Sequence, residues 1–438
     1  MVTLAPTKLF SKACLTVGVI ALIAQTAFPQ TPRPAPPAQR DEAHQLWSTI
    51  VEPILLQSIK SGEQGQNFGT TMMVPLQAAF RLRDAQWEQD FADHFSRMVA
   101  NFASLPDEDL GRLQYLYVAS QFMVLAKHNG QLSLIPRTLP GTLYTDLWKV
   151  WTHKPAWQFE GAGPAFPGGV RERVLWRLDH RRVAKSYFRS INDVDLFVFA
   201  IAADLKGFIT APAEVKEWSP TLDDILNIAH RTFAQEGVAQ PDGGWLFQPG
   251  VWTDHPEYQY AGNREIRPGM KPVPVAGMSQ DSSHSLRFPL WLTSLMQAYP
   301  PGSEDYRFYQ GLRSSLERQF FNKVLVRPSA DFPCYRMNNF MSGINGVYRW
   351  SYPGLGQGSG YGPYGLSSSL LVGWWVFLDT DRIREVYRDV AAGFPWPKEC
   401  VEVYLGPTLP NGHPASAYEP ASSSMRLWHL EVLLDSKM

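Results

Sequence analysis

Along most of this chain apolar residues recur at helical intervals, and almost nowhere do they alternate with polar ones over the length of a strand. Leu46, Ile50, Val51, Ile54 and Leu55 share one helical face, and Trp87, Phe91, Phe95, Met98 and Phe102 repeat the spacing. The pattern predicts further helices from Asp109 to Lys127, Val183 to Lys206, Pro220 to Gln235, Ser285 to Tyr299 and Ser303 to Phe321. Three more follow, from Gly365 to Asp379, Asp381 to Ala392 and Ser424 to Leu434. Ser219 reads as an N-cap, with Pro220 at the first helical position and Asp223 and Asp224 in the first turn. Loops full of Gly and Pro separate the segments, so the expected fold class is all-α.

Two long regions break the helical rhythm, Pro241 to Gln280 and Ser329 to Tyr361. The stretch from Pro241 to Pro289 sets Trp245, Phe247, Trp252, His255, Tyr258, Tyr260 and His284 among Asp242, Asp254, Glu257, Asp281 and Arg287. A core strand would not carry so many polar groups, and a surface loop would rarely carry so many rings. The mixture suits a groove for a sugar polymer, where flat rings meet pyranose faces and charged groups bond hydroxyls and acids. The same residues can also be packing and turn caps beneath a long loop. The glycines of GLGQGSGYGPYG, from Gly354 to Gly365, are not a phosphate-binding loop, because the Lys-Ser/Thr ending is missing.

At the N-terminus Lys8 and Lys12 precede an apolar run from Ala13 to Ala24 and small residues up to Ala27, the pattern of a secretory signal peptide. Residues 1–27 are therefore expected to direct export, 28–40 to form a Pro-rich linker, and 41–438 to fold as one catalytic domain, secreted or periplasmic. The apolar run is short for a membrane span and no later segment supplies one, so no stable membrane insertion is expected once the signal is removed. With a net charge of -1 and no basic run, a nucleic-acid partner is not expected either. Beyond the signal only Cys334 and Cys400 remain, open to one disulfide or to two buried thiols, with no zinc spacing. No metal and no cofactor is expected.

Cleavage of a uronate polymer by elimination must offset the sugar carboxylate, remove the C5 proton and protonate the departing oxygen. His284, Tyr348, Arg349 and Asn192 are the catalytic candidates, of types that suit those tasks. Trp245, Trp252, His255, Tyr258, Tyr260, Arg287, Asn345 and Trp350 are the candidates for holding substrate. Hydrolysis would need two carboxylates across the scissile bond, and Asp242, Asp254, Glu257 and Asp281 are available for it. A glycan-binding protein without catalysis would keep the rings and discard the acid/base roles. No G-x-S-x-G elbow or zinc-protease motif accompanies the histidines.

The loop DGGWLFQPGVWTDHPEYQY, the helix start DSSHSLRFPLWL and the segment GYGPYGLSSSLLVGWW resemble the toroidal (α/α) polysaccharide lyases of the alginate and glucuronan lyase kind, with toroidal glycoside hydrolases close behind. The resemblance implies an (α/α) toroid of about six to seven helical hairpins with long active-site loops, acting on a polysaccharide or oligosaccharide. Mannuronate-type alginate lyases carry an Asn-Asn-His motif, whereas Asn338 and Asn339 are followed here by Phe340. No catalytic role is carried over from that motif.

Overall fold

The computed structural model of the chain describes residues 42–159, 165–209 and 211–438; the expected signal peptide and Pro-rich linker lie outside them. Among the described residues the protein is mostly helical, with two short antiparallel strand pairs, Gly237–Ala239 with Trp245–Phe247 and Leu325–Val326 with Arg336–Met337. No described helix is long and apolar enough to cross a membrane.

Local chemistry sets the helix starts. Asp84 caps Ala85–Ala100, Glu108 caps Asp109–His128 and Ser303 caps Glu304–Gln319, each accepting an amide that the first turn leaves unpaired. The helix Asp193–Phe208 opens with a capping box, Asn192 accepting the Asp195 amide and Asp195 accepting the Asn192 amide.

Three expectations for helices are corrected, the first being that the helix expected from Val183 starts only at Asp193, after the 3₁₀ turn Ser186–Arg189, because Asn192 caps it there. Ser219 is no N-cap, because the helix runs from Pro212 to Glu236 and takes Pro220 into its interior. Trp218 stacks on Tyr144 with ring centroids 4.7 Å apart, and burying that pair favours the earlier start over the break that Pro220 alone would impose. The segment expected as one helix from Gly365 to Asp379 is two short ones, Ser368–Leu371 and the 3₁₀ turn Trp374–Leu378. Gly373 between them has φ of 87°, a left-handed conformation that ends a helix and that glycine adopts without a Cβ clash.

The principal core draws on residues from Ala43 to Leu434. A second, smaller core lies beneath the long loops and joins Trp252, Tyr258, Met278, Phe340, Tyr348 and Tyr361. Both loop regions therefore share one apolar floor, and this sets their mutual position. Gly346 lets them approach, since a Cβ there would lie 1.6 Å from the Ala261 carbonyl oxygen. Cys334 and Cys400 are joined in a disulfide.

On the helix Ser423–Lys437 the side chains of Glu431 and Asp435 are fully buried one turn apart, and none of their four carboxyl oxygens has a hydrogen-bond partner among the described residues. Burial, and for Glu431 also the neighbouring Asp435, pushes both carboxyls well above their ordinary values, with Arg81 opposing the rise at Asp435. The folded chain thus holds protons that the unfolded chain releases, so stability is lost as pH rises above the ordinary carboxyl range. The double variant Glu431→Gln/Asp435→Asn should lose less stability than wild type between about pH 5 and about pH 8, by about 1 kcal/mol, the scale of one unit of pKa shift. Denaturant unfolding at the two pH values checks this, and parallel losses would show that the pair is not protonated in the fold.

Candidate functional site

Asp281 is the N-cap of the short helix Ser282–Ser285 and accepts the amides of Ser283 and His284. The same carboxylate accepts the Ser283 hydroxyl at 2.5 Å and the Tyr258 hydroxyl at 2.7 Å, and it meets His284 Nδ1 at 2.8 Å. His284 therefore has its Nδ1 side fixed by a buried carboxylate, while Nε2 has no protein partner among the described residues. Burial opposes charge on the imidazole, but the Asp281 carboxylate outweighs it and raises the His284 pKa. Burial likewise works against the Asp281 anion, and the attraction of His284 with the donated hydrogen bonds holds its carboxyl far below the usual range.

The second half of the site comes from the later loop. The Arg349 amide donates to the Glu257 carbonyl at 3.0 Å, and the Tyr348 amide donates to the Tyr361 carbonyl at 2.9 Å. Side chains repeat the tie: Tyr348 donates its hydroxyl to Glu257 Oε2 at 2.9 Å and Arg349 Nε donates to the same oxygen at 2.6 Å. Arg349 has φ of 53°, a conformation that costs a non-glycine residue about 1–3 kcal/mol and persists only where surroundings over-determine it. The ion pair with Glu257 and the rings of Tyr348 and Tyr352, each 5.0 Å from the guanidinium, supply that constraint.

Burial alone would raise the Glu257 carboxyl; the charges of Arg349, His255 and His284 reverse this and hold it below its ordinary value. Burial pushes the Tyr348 phenol well above its ordinary value, against the pull of Arg349, so it keeps its proton across the physiological range. The two halves meet at Tyr258, whose ring packs 5.2 Å from that of Tyr348 while its hydroxyl is spent on Asp281. Ser283, Tyr348, Arg349, Tyr361, Ser368 and Ser369 line a cavity of about 20 Å³, room for about one water molecule.

The structure thus links His284, Tyr348, Arg349, Tyr258, Glu257 and Asp281, and gives the other candidates different surroundings. Trp245 is 3% exposed and lies in the principal core against Phe288, so it offers no ring face to a ligand. Trp252 is buried and stacked on Tyr258. Arg287 is buried and donates to Asp193 at 2.6 Å, which makes it a strut between two helix starts. Asn345 accepts the Tyr364 amide at 2.7 Å, and Asn192 uses its Oδ1 in the capping box while its buried Nδ2 has no partner among the described residues. Asp242 is a turn residue of the first strand pair, accepting the Gly244 amide, and Asp254 is bound to Ser186 at 2.5 Å. Tyr260 and Trp350 are partly exposed, and His255 meets the rings of Tyr187, Trp252 and Tyr258.

Asn339, the second of the paired asparagines, is a buried clamp that donates to the Gly346 and Gly362 carbonyls and accepts the Leu366 amide. Phe340 after it packs against Tyr258 and Tyr348. That position therefore supports the site from below and brings it no imidazole. Ser283 and Tyr361 were not singled out by sequence, and Ser283 had a signal in its place two residues after a capping Asp. Comparison with known proteins finds no matching family model, no matching curated protein and no matching solved structure.

Proposed function

We propose that the protein is an exported polysaccharide lyase that cleaves a uronate-containing polymer by β-elimination, on helices closed as an (α/α) toroid. The observation that carries the reading is that Tyr258 joins the two halves, its hydroxyl on the Asp281 carboxylate that supports the His284 imidazole and its ring 5.2 Å from that of Tyr348. His284 Nε2 takes the C5 proton, the electron pair forms the C4–C5 double bond, the bond from C4 to the glycosidic oxygen breaks, and the Tyr348 hydroxyl protonates that oxygen. Arg349 offsets the charge that builds on the substrate carboxylate. The cavity of about 20 Å³ beside Tyr348 and Arg349 is too small for a pyranose and is not lined by His284, so in this reading the two loops part as the polymer enters.

Hydrolysis fits less well. A glycosidase needs one carboxyl held protonated, whereas Glu257 and Asp281 are both shifted toward the anion. Export is supported by the Cys334–Cys400 disulfide, a bond that persists in oxidising compartments.

Purified protein incubated with polymers of mannuronate, glucuronate and galacturonate should release a 4,5-unsaturated uronate, seen as new ultraviolet absorbance. New reducing ends without that absorbance, or no product from any polymer, would sink the reading. Because the base must be neutral and the His284 pKa is raised, kcat/KM should climb with pH through a midpoint above about 6.5, the ordinary imidazole value. A climb centred at or below that value would remove His284 from the role of base.

A further inference from the structure

Outside the residues gathered around His284, two tryptophans among the described residues are exposed, Trp148 and Trp157. Trp157 has 43% of its surface open to solvent, and it is nonetheless held from behind. The Arg173 guanidinium lies 5.6 Å from its ring, and Arg173 Nη1 donates to the Trp157 carbonyl at 3.4 Å. Arg173 is itself fully buried and fixed by Asp195, through bonds of 2.6 and 3.1 Å to one carboxylate oxygen. Phe159 meets the Trp157 ring edge-on at 4.8 Å. An exposed tryptophan backed by buried, hydrogen-bonded structure is a prepared surface, since its hydration costs free energy that packing it inward would have avoided.

This surface adjoins the site already described. Phe159 contacts His255 at 5.9 Å and Trp252 at 6.3 Å, both edge-on, and His255 accepts the Glu257 amide. Glu257 is the residue that holds Tyr348 and Arg349. A line of rings therefore leads from Trp157 to the proposed reaction centre. Charge points the same way: Arg173 and Arg177 share the single carboxylate of Asp195, and the Arg177 guanidinium lies 5.9 Å from the Phe159 ring. The rings are backed by one positive charge in excess of that carboxylate, which favours an acidic sugar over a neutral one. Trp148, of comparable exposure, instead packs at a tilt against His153, with ring centroids 4.1 Å apart.

We propose that Trp157 and Phe159 form an outer subsite on which a further pyranose ring of the acidic polymer stacks, beyond the unit bound at His284 and Tyr348. This rests on the uronate-polymer reading of that site, and it assigns to it two residues that hold substrate without touching the reacting atoms. Stacking of a sugar on Trp157 gives affinity for long chains and leaves the chemistry of the cleaved unit unchanged.

The test is electrophoretic retardation of the full chain in gels containing each of the three uronate polymers, or a neutral glucan, alongside the ultraviolet assay. Wild type should be retarded by at least one uronate polymer and less by the glucan. Trp157→Ala should weaken that binding about tenfold, Trp157→Phe should keep most of it, and Trp148→Ala should match wild type. Any turnover should show a raised KM for polymer with kcat near wild type, and little change for the shortest cleavable oligomer. Retardation that is lost in Trp157→Ala while wild type makes no unsaturated product keeps the subsite and removes the lyase reading. Equal binding by Trp157→Ala and wild type, equal losses in the Trp148 variant, or no retardation of wild type by any uronate polymer overturns the subsite.

Discussion

Turnover on the best uronate polymer is expected to fall about 100-fold or more in His284→Ala and in Tyr348→Phe, the loss that follows removal of a positioned acid or base. The two variants should differ in what remains. Without the imidazole, the rise of kcat/KM with pH should disappear along with the rate. Tyr348→Phe removes a hydroxyl that donates to Glu257, yet Glu257 keeps Arg349 at 2.6 Å, so the loop holds and stability changes little. In His284→Ala the cap of the short helix survives, because Asp281 still accepts two amides, the Ser283 hydroxyl and the Tyr258 hydroxyl. Near-wild-type turnover in both variants would return Asp281, His284 and Tyr348 to a structural role. A loss matched by an equal fall in melting temperature would do the same.

Asp195→Ala should cost about 3–5 kcal/mol or more of stability, the scale of removing one partner from a buried ion pair. Its carboxylate receives Arg173 through one oxygen, Arg177 through the other at 2.7 Å, and the Asn192 amide at 2.9 Å, with the three charged side chains out of contact with water. Truncation would leave two buried guanidinium groups without a counter-charge and the helix Asp193–Phe208 without half of its capping box. Arg177→Met is the comparison, since it leaves one guanidinium facing one carboxylate and should cost less than half as much. Chemical denaturation of both variants reads the difference. Equal costs would mean that Asp195 acts mainly as a cap, and failure of Asp195→Ala to yield folded protein while Arg177→Met folds agrees with the expected order.

How far the chain could be read in advance depended on whether partners were close in sequence. Helices were legible because a 3.6-residue apolar stripe is local, although the one expected from Ser285 to Tyr299 starts at Ser282 under the Asp281 cap and is interrupted before Phe288. The start of Pro212–Glu236 was not, because it is set by Trp218 against Tyr144, far away along the chain. Tyr348 owes its position to Glu257, 91 residues earlier, and no spacing within either loop announces that bond. Trp245 shows the opposite failure: a ring in a polar stretch looked like a platform, yet the strand pairing of Gly237–Ala239 with Trp245–Phe247 turns it toward the core. Trp157 was passed over because its neighbours in sequence are unremarkable in type, and its backing by Arg173 is a property of the fold.

The bond between Cys334 and Cys400 encloses Tyr348, Arg349 and Tyr361 in a covalent ring, while Glu257, Asp281 and His284 stand outside it. A protease that cuts the chain once within the ring opens it without releasing a fragment. The piece carrying Tyr348 stays attached to the piece carrying His284 for as long as the sulfurs remain joined. In an oxidising medium a nicked molecule can therefore still present both halves of its site, and a reducing medium would remove the covalent tie between the two pieces.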